Sequence, residues 1–281
     1  MVIEIASIRF EIDFESDTVH FSPYLSQFVD RCKTGPGVVD CTIDFSKGAL
    51  EFPNRKEATT INGISYQEIS KSVFLFGLPR ALFRVCLESH FAEVQCKDGR
   101  AIPGFTFVTI LKLLASLLVL DKGGLALHCS AAFDHRNGYV FCGKSGSGKS
   151  TIAFGLRPRY TVLGDEFNAL IPSGVAGYTC HGSPFTKPEN VELCSPGCAL
   201  VTTLFLLSPG AEASFADSGS VARSLLPVIL DNVFTFPTSD EYAGKLFENT
   251  AALIRAVPIE VITDRDCLVS RLQRKELNNE I

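Results

Sequence analysis

The chain contains no tryptophan, and this absence beside 22 phenylalanines carries no functional reading. Other scarcities exclude more. Positive charge is not in excess: 26 Lys and Arg stand against 31 Asp and Glu, a formal net charge of -5. An extended nucleic-acid surface is therefore not expected, although a local basic pocket remains compatible with that balance. Long hydrophobic runs are also missing. The most apolar stretch, residues 105–120, is short for a membrane span, contains Lys112 and suits a buried helix. No membrane contact is expected. Residues 1–6 hold Glu4 inside an apolar run and lack a basic leader, so no export signal and a cytoplasmic location are expected.

Closed cysteine patterns are lacking too. The ten cysteines, at 32, 41, 86, 96, 129, 142, 180, 194, 198 and 267, are too dispersed for a disulfide scaffold. Cys194 and Cys198, with Cys180 and His181 nearby, match no closed zinc spacing well, and small buried hydrophobes are the expected role. No internal repeat is apparent. What remains is a chain of 281 residues, 46% hydrophobic and 20% charged, enough for one large or two modest domains.

The first hundred residues read mainly as short strands. Residues 3–5 and 8–12 suggest a hairpin, and 38–45 with 49–52 a second around Ser46-Lys47-Gly48. Further strands are expected at 61–66, 72–75 and 91–96, with a short helix over 24–32. This region, 1–100, is expected to be a smaller, mainly β accessory or substrate-selection domain. From 101 onward a bridging helix over 106–120 stops at Asp121-Lys122-Gly123-Gly124. Strands are expected at 125–133, 139–142, 160–163, 167–171, 199–207 and 257–263. Helices are expected near 220–230, at 240–256 and at 265–276. That alternation points to an α/β core over 101–281.

One run carries explicit chemistry. Gly143-Lys144-Ser145-Gly146-Ser147-Gly148-Lys149-Ser150, followed by Thr151, fits the phosphate-loop pattern G-x-x-x-x-G-K-[ST] at every fixed position. An apolar strand leads in and a helix-compatible stretch leads out, where backbone N–H groups surround phosphate oxygens. In that pattern Lys149 reaches the β/γ-phosphates and Ser150 the magnesium ion, so a nucleoside triphosphate, expected to be ATP, and Mg2+ are the expected ligands.

Asp165 and Glu166, at the end of the next strand, are the expected partners of this loop. Adjacent strand residues face opposite sides, so separate roles need a bend at Gly164. One acid is then available to take a proton from an attacking hydroxyl and the other to reach magnesium. His128, in the strand before the loop strand, is either a phosphate donor or a core histidine. His135 is expected to face solvent. Lys187 is either a contact for an anionic substrate or transferred phosphate or a solvated loop lysine, the reading favoured here, and Arg223 and Arg255 are further cations to which local sequence assigns no role.

Residues 127–132 (Leu-His-Cys-Ser-Ala-Ala), 143–151 and 163–166 (Leu-Gly-Asp-Glu) together resemble the HPr kinase/phosphorylase family. The similarity is closer to its branch of HPr-kinase-related proteins, often associated with peptide-modification systems. Gly182-Ser183-Pro184-Phe185 and residues 199–207 are similar to segments of that branch, and the resemblance runs from about 123 to 271. It implies an HPr-kinase-like P-loop core, with His128 near the phosphates and Lys149 and Ser150 on nucleotide and metal. It also implies Asp165 as the proton-handling acid, with Glu166 in place of a second aspartate. The chain departs from the family at Thr151, where an acidic residue is usual, and in lacking the glycine- and arginine-rich late loop. Both departures argue against dual kinase/phosphorylase activity and against HPr as substrate.

The resulting expectation is ATP-dependent phosphoryl transfer to a hydroxyl, on a peptide or protein serine or a small molecule. The catalytic set is Asp165, His128 and Lys149, and the metal set Ser150, Asp165 and Glu166. An ATP or GTP hydrolase and a non-catalytic, nucleotide-dependent binding or assembly module are the alternatives. A homo-oligomer is compatible with the family resemblance.

Overall fold

Burial with a period of two organises the start of the chain. In the hairpin of β1 (Val2–Ile5) and β2 (Ile8–Phe14), Ile3, Ile5, Ile8, Phe10 and Ile12 are buried. That alternation is the signature of strands with one face on a core. The computed structural model describes residues 1–5, 7–14, 28–29, 32, 37–46, 59–61, 64–78, 80–96, 101–134, 136–174, 177–186, 188–195, 197–208, 227 and 240–277. The chain forms two compact units, Met1–Leu118 with Thr235–Gly244, and Val119–Phe234 with Lys245–Ile281. The dividing line falls inside helix α1 (Gly104–Asp121) rather than after residue 100, so most of the helix read as a bridge belongs to the first unit.

The first unit holds an eight-stranded sheet. Its other strands are β3 (Cys41–Ser46), β4 (Thr59–Ile61), β5 (Ile64–Ser70), β6 (Val73–Leu78), β7 (Ala81–Cys86) and β8 (Phe91–Cys96). The order is β1-β2-β3-β8-β7-β6-β5-β4. β3 lies between β2 and β8, parallel to both, so its two edges are taken. Residues 49–52, expected to pair with it, lie outside the described residues. The strand expected over 61–66 is instead the β4–β5 hairpin, with Ile61 opposite Ile64. The Asn62-Gly63 dipeptide between them is a tight-turn signal that the strand reading passed over. β7 was not expected at all. The core includes Phe76 stacked on Phe83 at 4.7 Å and Phe45 against Phe107 of α1 at 5.2 Å. Each such buried ring contributes about 1.5–3 kcal/mol relative to exposure. Of the helix expected over 24–32, residues 28 and 29 are described as helical. Of the one near 220–230, only residue 227 is described.

The second unit is mixed α/β around a curled sheet. Its strands are β9 (Leu125–Leu127), β10 (Ser130–Phe133), β11 (Gly138–Gly143), β12 (Thr161–Gly164), β13 (Asn168–Ser173), β14 (Gly177–Gly182), β15 (Cys198–Leu207) and β16 (Ile259–Ile262). The order is β12-β10-β11-β15-β14-β13-β9, with β16 also beside β15. β11, β15 and β16 are parallel neighbours, and the remaining pairs are antiparallel. β15 changes partners along its length, from β14 near Ala199 to β11 and β16 beyond Val201.

The other helices are α2 (Lys149–Gly155), α3 (Asp240–Ala256) and α4 (Arg265–Leu277). Ile152, Ala153 and Leu156 pack with Leu268 and Leu272 of α4 on Phe141, Tyr139, Val162 and Phe205 of the sheet. The end of α1 is closed by Gly123 N–H on Leu120 O and Gly124 N–H on Val119 O, with Asn249 of α3 donating to Leu120 O. By length and apolarity alone α1 fits a membrane span or a core helix, and 78% of its apolar window is buried.

Candidate functional site

The Gly143–Ser150 loop leaves the end of β11 and enters α2, as its sequence demands. Lys149 is 6% exposed, and its Nζ donates to Gly143 O at 2.8 Å and Lys144 O at 3.2 Å. These bonds fold the lysine back over the loop. A Cβ at Gly143 would lie 2.7 Å from Ser147 Oγ and 2.8 Å from Leu207 O, so the backbone there admits no side chain. Gly148 caps α2 with φ 93°, a left-handed conformation for which glycine is the default. Ser147 Oγ is buried and has no hydrogen-bond partner among the described residues. A buried hydroxyl without a partner costs about 1–3 kcal/mol, a deficit that a ligand oxygen or water would remove.

Beside the loop, the strand expected over 125–133 is broken. β9 ends at Leu127 and pairs with β13, whereas β10 starts at Ser130 and pairs with β11 and β12. The cause lies outside the segment: buried Asn168 donates from Nδ2 to Cys129 O at 2.8 Å and to Gly164 O at 3.3 Å. One amide thus ties the corner at 128–129 to the end of β12. Ser130 faces the loop, its Oγ donating to Ser150 Oγ at 3.5 Å.

Sheet register brings the acids to the same end. Ala131 pairs with Gly164 on one side and with Val140 on the other, and Ser130 pairs with Phe141. Ser130 and Asp165 are each one residue beyond the Ala131–Gly164 pair, toward the same end of the sheet. β12 is two strand spacings from β11, about 10 Å. The bend expected after Gly164 is present, and the two carboxylates there have different partners.

Asp165 is 1% exposed, and both its oxygens are engaged by one segment: Thr186 Oγ1 donates to Oδ1 and Asn190 Nδ2 to Oδ2. A carboxylate removed from water needs such partners. Glu166 is half-buried and lies beside His128, with Oε2 3.6 Å from Nε2. The structure therefore places His128 on the second acid. Thr186 lies in the 184–188 segment that the family resemblance places at the site mouth, but neither it nor Asn190 was singled out as a partner of Asp165, which they reach across 21 and 25 residues.

Arg265 was also missed. A Cβ at Gly148 would lie 2.6 Å from its Nη1 and 2.7 Å from its Cδ, so the side chain rests against the last glycine of the loop. Packing of Leu268 and Leu272 beside α2 holds it there. Its guanidinium makes no hydrogen bond or ion pair with a described residue. Arg255, weighed from sequence, is exposed in the last turn of α3 near Tyr178. His135, Lys187 and Arg223 lie outside the described residues.

The thiols around the loop are held neutral. A hydrogen bond with Cys129 and burial push Cys142 well above the usual thiol range, and burial does the same to Cys180. Neither serves as a thiolate nucleophile near neutral pH.

No family model matches the chain, and no curated protein does. Among solved structures, the Hpr(Ser) kinase/phosphatase from Coxiella burnetii is similar at 14% identity and a TM-score of 0.27, over 55% of this chain and 95% of that one. The likeness is weak and carries no argument about the site.

Proposed function

We propose that the chain is an ATP-dependent phosphotransferase with an HPr-kinase-like P-loop core, acting on a hydroxyl of a peptide or protein serine or of a small molecule. The carrying observation is the loop between β11 and α2, with Lys149 folded onto Gly143 O and Lys144 O and the Ser147 hydroxyl buried without a partner. Those residues fit a polyphosphate. Glycines at 143 and 148 keep the backbone open, Arg265 adds a positive charge with no ion pair among the described residues, and Ser150 stands at the start of the helix. Among the described residues no group of three or more His, Cys, Asp and Glu could hold a metal alone, so magnesium would arrive with the nucleotide.

When bound, Mg·ATP supplies the transferable γ-phosphoryl group. Lys149 and Arg265 would neutralise phosphate oxygens, and Ser150, hydrogen-bonded by Ser130, would supply a metal ligand. Asp165 orients the acceptor hydroxyl and takes its proton. Glu166, beside His128, lies half-exposed at the same bend and is the acid reached through solvent or metal. Most of this chemistry is positioning and charge stabilisation.

One observation favours a second reading, a nucleotide-dependent binding module: Asp165 has both oxygens engaged by its own chain. The deciding experiment incubates the protein with γ-labelled ATP and a clarified cell extract, then identifies labelled products by mass. Acceptor-dependent label supports the phosphotransferase. Free labelled phosphate without an acceptor indicates a hydrolase, and stoichiometric binding without turnover indicates the module.

A further inference from the structure

We propose that Thr186 is itself a phosphoryl acceptor, a modification site built against Asp165. The inference rests on the phosphotransferase reading and names its acceptor class: the side-chain hydroxyl of a threonine or serine. Thr186 Oγ1 donates to Asp165 Oδ1, the place an acceptor hydroxyl must occupy if Asp165 is to receive its proton. This chain's own threonine already sits in the acceptor's seat.

The placement is fixed from both sides. Ser183 Oγ donates to Phe167 O at 2.6 Å, Phe185 N–H donates to Ser183 Oγ at 3.3 Å, and the Phe185 ring stands edge-on to Phe167 at 5.0 Å. Phe167 follows the bend that carries Asp165, so the segment is anchored to the backbone bearing the acid. On the other side Thr186 Oγ1 is 3.6 Å from Cys194 Sγ, and Cys194 packs on the cluster that holds Ile152 and Ala153. The hydroxyl therefore lies toward the face of the sheet that carries α2 and the loop. Ser130, which touches Ser150, is on the strand next to β12, about 5 Å away by strand spacing.

In the reaction Thr186 Oγ1 attacks the γ-phosphorus of a nucleoside triphosphate. The new O–P bond forms as the bond from phosphorus to the β–γ bridging oxygen breaks. Its electron pair leaves with the nucleoside diphosphate, and the hydroxyl proton passes to Asp165 Oδ1. The phosphothreonine then carries roughly -1.5 to -2 charges against a carboxylate, and repulsion drives the segment off Asp165. An external serine or threonine hydroxyl gains the vacated position.

The test incubates the full chain with Mg2+ and γ-labelled ATP and maps the label by digestion and mass spectrometry. One phosphoryl group per chain is expected on the peptide containing Thr186, moved to serine in Thr186→Ser and absent from Thr186→Val and Asp165→Asn. A second readout needs no turnover. Amide hydrogen exchange of nucleotide-free Thr186→Val should be about tenfold or more faster at residues 183–186, with β11 and α2 unchanged. Label that persists in Thr186→Val overturns the inference. So does a wild-type protein that binds nucleotide and labels an extract acceptor while Thr186 stays unmodified. If the wild type binds no nucleotide, the phosphotransferase reading falls and this inference with it.

Discussion

At the loop end of the site, polar groups lie ready and unspent: Ser147 Oγ has no partner, and the Arg265 guanidinium rests against Gly148 without an ion pair among the described residues. Two strands away, at the carboxylate end, every oxygen of Asp165 is used by Thr186 and Asn190. One half keeps polar groups open among the described residues, and the other is filled by the chain itself. Under the proposed function, a phosphate-bearing ligand would meet the open half, whereas an acceptor would have to displace Thr186. Nucleotide affinity and acceptor transfer should therefore respond to different residues.

The largest expected effect is at the filled end. Asp165→Asn should lower γ-phosphoryl transfer by about 10²- to 10⁴-fold while nucleotide affinity changes by less than about threefold. Equal loss of both, in a variant whose circular dichroism is unchanged, would erase the distinction between the halves. Next comes the link between them. Asn168→Ala removes the donor to Cys129 O and Gly164 O and should cost about 1–3 kcal/mol in urea unfolding. A neutral result would show that the corner at 128–129 holds without it.

A smaller effect is expected at the open end. Arg265→Ala should weaken binding of a non-cleavable ATP analogue about tenfold, and ADP less, in calorimetric titration. Equal weakening of the two would detach Arg265 from the terminal phosphate. The mildest contrast concerns thiols. Hydrogen bonds at Ser89 lower the Cys86 thiol, whereas a hydrogen bond with Cys129 and burial raise Cys142 beneath the loop. A lowered value leaves more thiolate at a given pH, so Cys86 should alkylate at lower pH than Cys142, read by peptide mass. The reverse order would mean that the floor of the loop opens.

Local pattern carried much of the architecture. The loop was legible because its glycines, lysine and serine occupy fixed positions between an apolar strand and a helix, and α3 spans the residues expected for it. The break after β9 was not legible. Leu-Ala-Leu-His-Cys-Ser-Ala-Ala-Phe reads as one apolar strand, and its interruption is imposed by Asn168, 39 residues later. β14 escaped for a similar reason, since Gly177–Gly182 has little apolar character of its own and is stabilised by β13 and β15. The carboxylate pair was readable from the Gly164 bend, but the partners of Asp165 and the approach of Arg265 are tertiary facts. Sequence located the loop and the acids; packing decided which side chains surround them.

If the proposed function holds, the Gly143–Ser150 loop is a nucleotide seat held by Lys149. It is tested most directly by equilibrium titration of the full chain with Mg2+ and a non-cleavable ATP analogue, alongside Lys149→Ala. Saturable binding at one site per chain, weakened about 100-fold or more in Lys149→Ala, is the predicted result. Absence of saturable binding, or equal affinity in the folded variant, would contradict the account.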